Sequence, residues 1–231
     1  MKKLIFSLLI LFISLYSYSQ TSKEDCKFNY GFKLGLVSAY QTSVTLINHE
    51  EYSSDNRLGM DIGGFIEFLN YKNFSLLTEA HFIQKGFRSN ISTYKNGTVS
   101  QAMISSEIIQ TKINYLSFNL LGKFSIPFLS IKPYLIAGPR LDKLLSYSED
   151  NLNGIYKYIN KYNWGISVGF GISKSLSRKI ILSSEFRFSK DFTGFKITDY
   201  YYRNIYQYTY GNEVSATFKN NSFEFLLGIA F

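Results

Sequence analysis

The chain closes with Asn220-Asn221-Ser222-Phe223-Glu224-Phe225-Leu226-Leu227-Gly228-Ile229-Ala230-Phe231. Phe223, Phe225, Leu227, Ile229 and Phe231 share one parity. Ser222, Glu224, Gly228 and Ala230 share the other, with Leu226 as the one large apolar intruder. Side chains alternate faces along a strand, so this is a strand with one greasy face and one small or polar face. The stretch ends on an aromatic with no later segment to cover the greasy side. Such a strand is expected where lipid does the covering, as in the last strand of a bacterial outer-membrane barrel. Its five apolar residues are then the expected outer-membrane insertion signal.

Seven further stretches repeat the alternation. Phe28 to Leu36 places Phe28, Tyr30, Phe32, Leu34 and Leu36 on one face. Leu58 to Phe68 and Phe74 to Phe82 follow, joined by a short turn at Asn70–Asn73. Leu116 to Ile126 and Lys132 to Leu145 flank a tight turn at Pro127–Ser130. In the second of these Pro133 and Pro139 each remove a ladder donor, which predicts a bulge or local irregularity. Tyr162 to Ser173 is the cleanest strand, and Ile180 to Ser189 comes after a turn at Lys174–Arg178. Polar loops are expected at 41–56, 88–111, 146–160 and 193–216.

Eight strands long enough for the ~9–11 residues of a tilted spanning strand thus alternate with long and short connections. All short turns fall on one side, and both ends of the chain fall with them, as in barrels whose short turns face the periplasm. The charges also sort by face. Lys33, Asp61, Glu67, Glu79, Lys85, Lys123, Glu185, Arg187 and Glu224 all lie on the polar parity. A Lys or Arg facing lipid at mid-membrane costs about 2–4 kcal/mol, so lipid would enforce this sorting. The expected fold is therefore all-β, an eight-stranded antiparallel up-and-down transmembrane β-barrel. Parity alone leaves open a soluble lipocalin-like barrel with its greasy face inward and a lipophile inside.

The composition agrees. Aromatic residues make up 18% of the chain, and Tyr and Phe favour strands and membrane interfaces. Met1-Lys2-Lys3, the apolar run Leu4–Leu15 and the small-residue zone to Gln20 read as a secretory signal. Residues 1–20 are thus expected to be a signal peptide and 21–231 the barrel. No later apolar run reaches the ~20 residues of a membrane helix. Cys26 is the only cysteine, so no internal disulfide forms. The formal charge of +8 includes Lys2 and Lys3. No basic run marks a nucleic-acid surface, and Lys and Arg at strand ends suit anionic head groups.

Phe32-Lys33-Leu34-Gly35-Leu36, the segment Glu79–Gly86 ending in Gln84-Lys85-Gly86, Lys132-Pro133-Tyr134-Leu135-Ile136-Ala137-Gly138-Pro139 and the closing Phe231 together resemble the PorT-like outer-membrane β-barrel proteins of the Bacteroidota lineage. The resemblance implies a small barrel in the outer membrane. The family's namesake is tied to a secretion and gliding apparatus, but most members have no established activity, so the likeness speaks to location rather than mechanism.

An eight-stranded barrel has an interior just wide enough to be filled by side chains. Inward Lys33, Asp61, Glu67, Glu79, His81, Lys85, Glu185, Arg187 and Glu224 carry both signs, which predicts a paired plug because a buried unpaired charge is very costly. A gated ion path is the alternative. His49-Glu50-Glu51 is too sparse for a metal or protease site, and no phosphate loop or nucleophile–base pair is present. No metal, cofactor or enzymatic activity is expected. Tyr200, Tyr201, Tyr202, Arg203, Tyr206 and Tyr208 suggest a loop surface for a glycan or partner protein, against a plain aromatic belt. The expected partners are outer-membrane lipid, the barrel-assembly machinery during insertion, and an envelope protein or glycan. The role is structural or interactive, as surface recognition or as an accessory to an envelope or secretion assembly, with a small-solute channel as the competing reading.

Overall fold

Strict two-residue alternation leaves each strand able to bury only one face, and antiparallel pairing of neighbours closes that face on itself. The computed structural model describes residues 28–45, 51–71, 73–93, 105–126, 131–149, 160–177, 179–197 and 216–231. The strands are β1 (Asn29–Thr45), β2 (Glu51–Ser53), β3 (Arg57–Tyr71), β4 (Phe74–Thr93), β5 (Ser105–Ser125), β6 (Ile131–Glu149), β7 (Tyr162–Ser175), β8 (Ile181–Asp191), β9 (Phe195–Ile197) and β10 (Ala216–Ala230). Eight of them, β1, β3 to β8 and β10, form the wall, and pairing of β1 with β10 closes it. The seam is finished by Phe231 N donating to Tyr30 O at 2.8 Å. The three-residue β2 and β9 pair alongside β1 and β10 at the long-loop end.

The registers set the geometry. Partners traced around the wall from Leu58 run through Ser38, Phe223, Phe188, Val168, Ala137, Gly122 and Leu76 and return to β3 at Phe68, ten positions further on. With ~3.3 Å per residue and ~4.8 Å between strands, that stagger tilts the strands by about 40°. Nine to eleven residues then rise about 25 Å, the height of an outer-membrane apolar band.

The structure settles which face is which. Phe32, Leu34, Leu36, Met60, Ile62, Leu135, Trp164, Phe170, Phe225 and Leu227 stand exposed on the outer wall, whereas Lys33, Asp61, Glu79, Lys85, Arg140, Glu185, Arg187 and Glu224 are buried inside. A lipophile-binding soluble barrel needs the inverse, so that alternative fails. The apolar girdle has no protein cover and is the lipid-facing belt. Phe223, Phe225, Leu227 and Phe231 of the terminal stretch belong to it. Phe223 packs against Phe188 at 5.0 Å and against Tyr40 at 6.3 Å between ring centroids.

Several expected loops are strand. β1 continues to Thr45, and β4 and β5 stay paired from Gln84↔Asn114 up to Thr93↔Ser105, inside the stretch 88–111 expected to be loop. Beyond the belt lipid no longer selects apolar side chains on one face, so these ribbons carry no alternation to read. The irregularity predicted in β6 is also placed differently. The β5–β6 ladder skips Pro139 and Gly138 without changing register, passing from Asn119↔Arg140 to Gly122↔Ala137. The bulge lies higher, where Asn114↔Ser146 is followed by Tyr115↔Leu144 and Leu145 is left over. A second irregularity lies between Phe68 and Tyr71, with Leu69 at φ 52°.

Candidate functional site

Inward-facing charges from β1, β3, β4, β6, β8 and β10 converge on one cluster at mid-barrel. Lys33 on β1 donates to Glu79 Oε1 at 2.7 Å and to Glu185 Oε2 at 2.8 Å. Arg187, two residues from Glu185 and so on the same face of β8, donates to Glu79 Oε2 at 2.8 Å and also to Glu185. Tyr134 donates its hydroxyl to Glu185 at 3.1 Å, and Asn119 reaches Glu79 at 3.3 Å. Glu224 joins this half to the next, lying 3.8 Å from Arg187 Nε and 3.3 Å from Arg140 Nη1. Arg140 donates to Asp191 at 2.6 Å, and Lys85 donates to Asp142 at 2.6 Å. His81 sits between two carboxylates, with Nδ1 2.5 Å from Asp61 and Nε2 3.6 Å from Glu79.

Glycines make room for the large members. A Cβ on Gly63 would come within 2.4 Å of the His81 ring, and one on Gly171 within 2.4 Å of the Tyr134 ring. Both are distances a real Cβ does not tolerate, so these two positions select glycine by volume. Apolar side chains bracket the cluster. Val37, Ala39, Ile83, Ile113 and Tyr115 pack toward the long-loop end. Phe65, Leu77, Leu121, Tyr134, Ile136 and Ala230 pack toward the short-turn end.

Of the residues expected in the lumen, Lys33, Asp61, Glu79, His81, Lys85, Glu185, Arg187 and Glu224 are brought together. Glu67 lies apart, pairing with Lys123 at 2.9 Å and accepting from Ser75 at 2.6 Å near the short-turn mouth. That pair lines a vestibule of about 200 Å³ whose floor includes Lys33 and Glu185. The sequence reading missed Arg140, Asp142, Asp191 and Arg57. The prolines hid the parity of β6, although Arg140-x-Asp142 two apart on one face was a usable signal. Asp191 and Arg57 stand at strand ends where alternation gives out. Arg57 donates to the Lys85 carbonyl at 3.1 Å. Counting Lys33, Lys85, Arg140 and Arg187 against Asp61, Glu79, Asp142, Glu185, Asp191 and Glu224 leaves two negative charges. Arg57 and a proton on His81 would cancel them.

Residues 200–208 of the tyrosine-rich stretch, the signal stretch 1–20 and His49 lie outside the described residues. Among the described residues no group of His, Cys, Asp or Glu is arranged to hold a metal ion.

A closed eight-stranded wall with a lipid-facing girdle and a polar, charge-paired lumen defines an integral membrane β-barrel. Residues 18–190 match the family model of the outer membrane protein beta-barrel domain, and the chain belongs to that family. It is an outer-membrane protein. In fold it resembles the outer membrane protein OprG of Pseudomonas aeruginosa, with a TM-score of 0.54 and 9% identity over 89% of this chain and 97% of that one. Neisserial surface protein A is similar with a TM-score of 0.45 and 14% identity, over 86% and 95% of the two chains. No curated protein is significantly similar in sequence. The short turns and both ends of the described chain accordingly face the periplasm, and the long loops face outward.

Proposed function

We propose that the protein is a non-enzymatic barrel that works at its outer end, as a surface-recognition protein or an accessory of an envelope assembly. The observation that supports this is the blocked lumen. Arg140, Arg187, Lys85, Glu185 and Glu224 are each at most 2% exposed, and every one is held by an opposite charge. A conducting path needs water or mobile ions where these groups pair. The surface left for function lies beyond the belt, where β4 and β5 run on from Gln84↔Asn114 to Thr93↔Ser105, about 30 Å of ribbon at ~3.3 Å per residue.

On this reading residues 1–20 direct export and are removed. The apolar parity of Phe223–Phe231 presents the last strand to the assembly machinery, and the Tyr200–Tyr208 stretch supplies contact area for a glycan or envelope protein. The test replaces Tyr201, Tyr206 and Tyr208 by Ser in a barrel that still shifts on boiling in SDS. Capture of envelope proteins or glycans by the purified barrel is expected to fall at least tenfold. Unchanged capture removes the loop from the proposal, and stepwise single-channel conductance in planar bilayers would replace it with the channel reading.

A further inference from the structure

All strand acids whose side chains are described face the lumen: Asp61, Glu67, Glu79, Asp142, Glu185, Asp191 and Glu224. Among the described residues the charges that face outward on the wall strands are all cationic, and most of them gather at one edge. Lys143 follows Leu141 by two residues on β6, and Lys190 follows Phe188 by two on β8. Lys112 precedes Leu116 by four on β5, and Lys219 precedes Phe223 by four on β10. Lys161 stands just before β7. Four adjoining wall strands from β5 round to β8, and β10 beside them, therefore each place a lysine at the outer edge of the belt. At the periplasmic edge of those strands, among the described residues, Lys174 faces outward and Lys179 stands exposed just before β8.

The band has a built feature. The bulge at Leu145 shifts the end of β6 against β5, and a depression of about 410 Å³ opens there, lined by Lys143, Leu145, Tyr147, Lys161 and Tyr162. Leu144 N donates to Lys161 O at 2.8 Å, which seats Lys161 opposite Leu144, one position beyond the Lys143–Tyr162 pair. Two ammonium groups thus flank a pocket with an aliphatic and two phenolic walls, at the level where lipid head groups begin. Lysine stems run along apolar surface while their heads seek anions. Among components of a membrane, the chemistry that satisfies this is a phosphate ester on a lipid whose chains lie along the belt below.

We propose that the outer edge of β6 and β7 is a binding site for the phosphate of an anionic membrane lipid, with Lys143 and Lys161 as its cations and the lysine band as its approach. The site is independent of what the loops recognise. Trp164, the single tryptophan, stands exposed on the outer wall two residues from Tyr162 and reports on the lipid beside it.

The full-length barrel is folded into phosphatidylcholine vesicles that contain either brominated phosphatidic acid or brominated phosphatidylcholine, and quenching of Trp164 is measured against mole fraction. About 1 kcal/mol per surface cation corresponds to a preference of roughly fivefold or more for the phosphatidic acid. In a K143Q/K161Q variant that keeps its heat-modifiable band, the preference should fall to below twofold, while K174Q at the opposite edge keeps it. Equal quenching by the two lipids in the unmodified protein overturns the proposal. So does a preference that survives K143Q/K161Q, or one abolished by inorganic phosphate, which would make the pocket a site for free anions rather than lipid.

Discussion

Replacing Arg187 by Met tests whether the lumen is dry. Arg187 is 1% exposed. It donates to Glu79 and Glu185 and lies within 4 Å of Glu224. Methionine keeps most of the volume but leaves Glu185 with Lys33 and Tyr134 only, and Glu79 with Lys33, Asn119 and the His81 ring at 3.6 Å. Removing one partner of a buried pair costs about 3–5 kcal/mol because the other charge is stranded. The same change in a water-filled lumen would cost about 0–1 kcal/mol, the worth of a solvent-exposed pair. The assay is urea unfolding of the barrel in lipid vesicles, read by Trp164 fluorescence. R187M is expected to lose at least 3 kcal/mol. Adding Glu185→Gln should restore about 1–3 kcal/mol of it, since contacting members of one network couple by that amount. A single-variant loss under 1 kcal/mol, or no recovery in the double variant, would refute the dry, paired plug and with it the argument against conduction.

Gly63→Val should abolish or sharply reduce the heat-modifiable form, because its Cβ collides with both the buried His81 ring and the Ala80 carbonyl; adding His81→Ala should not recover it, since the clash with the backbone remains. Leu34→Arg, at mid-belt on the lipid side, should cost about 2–4 kcal/mol in vesicles, whereas Leu58→Arg at the outer edge should cost about 0–1 kcal/mol; equal costs would mean the belt is misplaced. Glu67→Gln should cost about 1.5–3 kcal/mol, less than R187M, since the Glu67–Lys123 pair keeps 11–14% exposure at the open vestibule. The unmodified barrel should give no unitary conductance in planar bilayers.

The wall was legible because two solvents select opposite faces of each strand. In β7, Trp164, Ile166, Val168 and Phe170 meet lipid while Asn163, Ser167 and Ser173 are buried, and the sequence shows the same division. Legibility fails where one of those solvents is absent. Above the belt lipid no longer selects one face, so the strand character of 88–93 and 105–111 left no mark. In β6 the prolines predicted a bulge or local irregularity, and the β5 ladder skips two pairs at Gly138 and Pro139 and bulges at Leu145. The weak alternation of that strand concealed Arg140 and Asp142, which belong to the charge cluster. Inward parity identifies which residues enter the lumen. It cannot give pairings such as Lys33 with Glu185, 152 positions apart, because those depend on the stagger of the closed sheet.

That stagger also explains why a barrel would keep so many ions inside. An apolar filling would pack this lumen at less risk, since a buried ion pair seldom adds net stability over a hydrophobic one. It would, however, tolerate a slipped strand. Sliding β8 by one residue would turn Glu185, Arg187 and Asp191 toward lipid and Phe186 and Phe188 inward, because side chains alternate with a period of two. Sliding it by two would preserve the faces but move Arg187 about 7 Å along the strand, out of reach of Glu79 on β4 and Glu224 on β10. Hydrophobic parity therefore forbids odd slips and the charge cluster forbids even ones. The apolar brackets at both ends sharpen the second rule by keeping out the water that would screen a mismatched pair. A lumen organised to fix register in this way is given over to holding the wall.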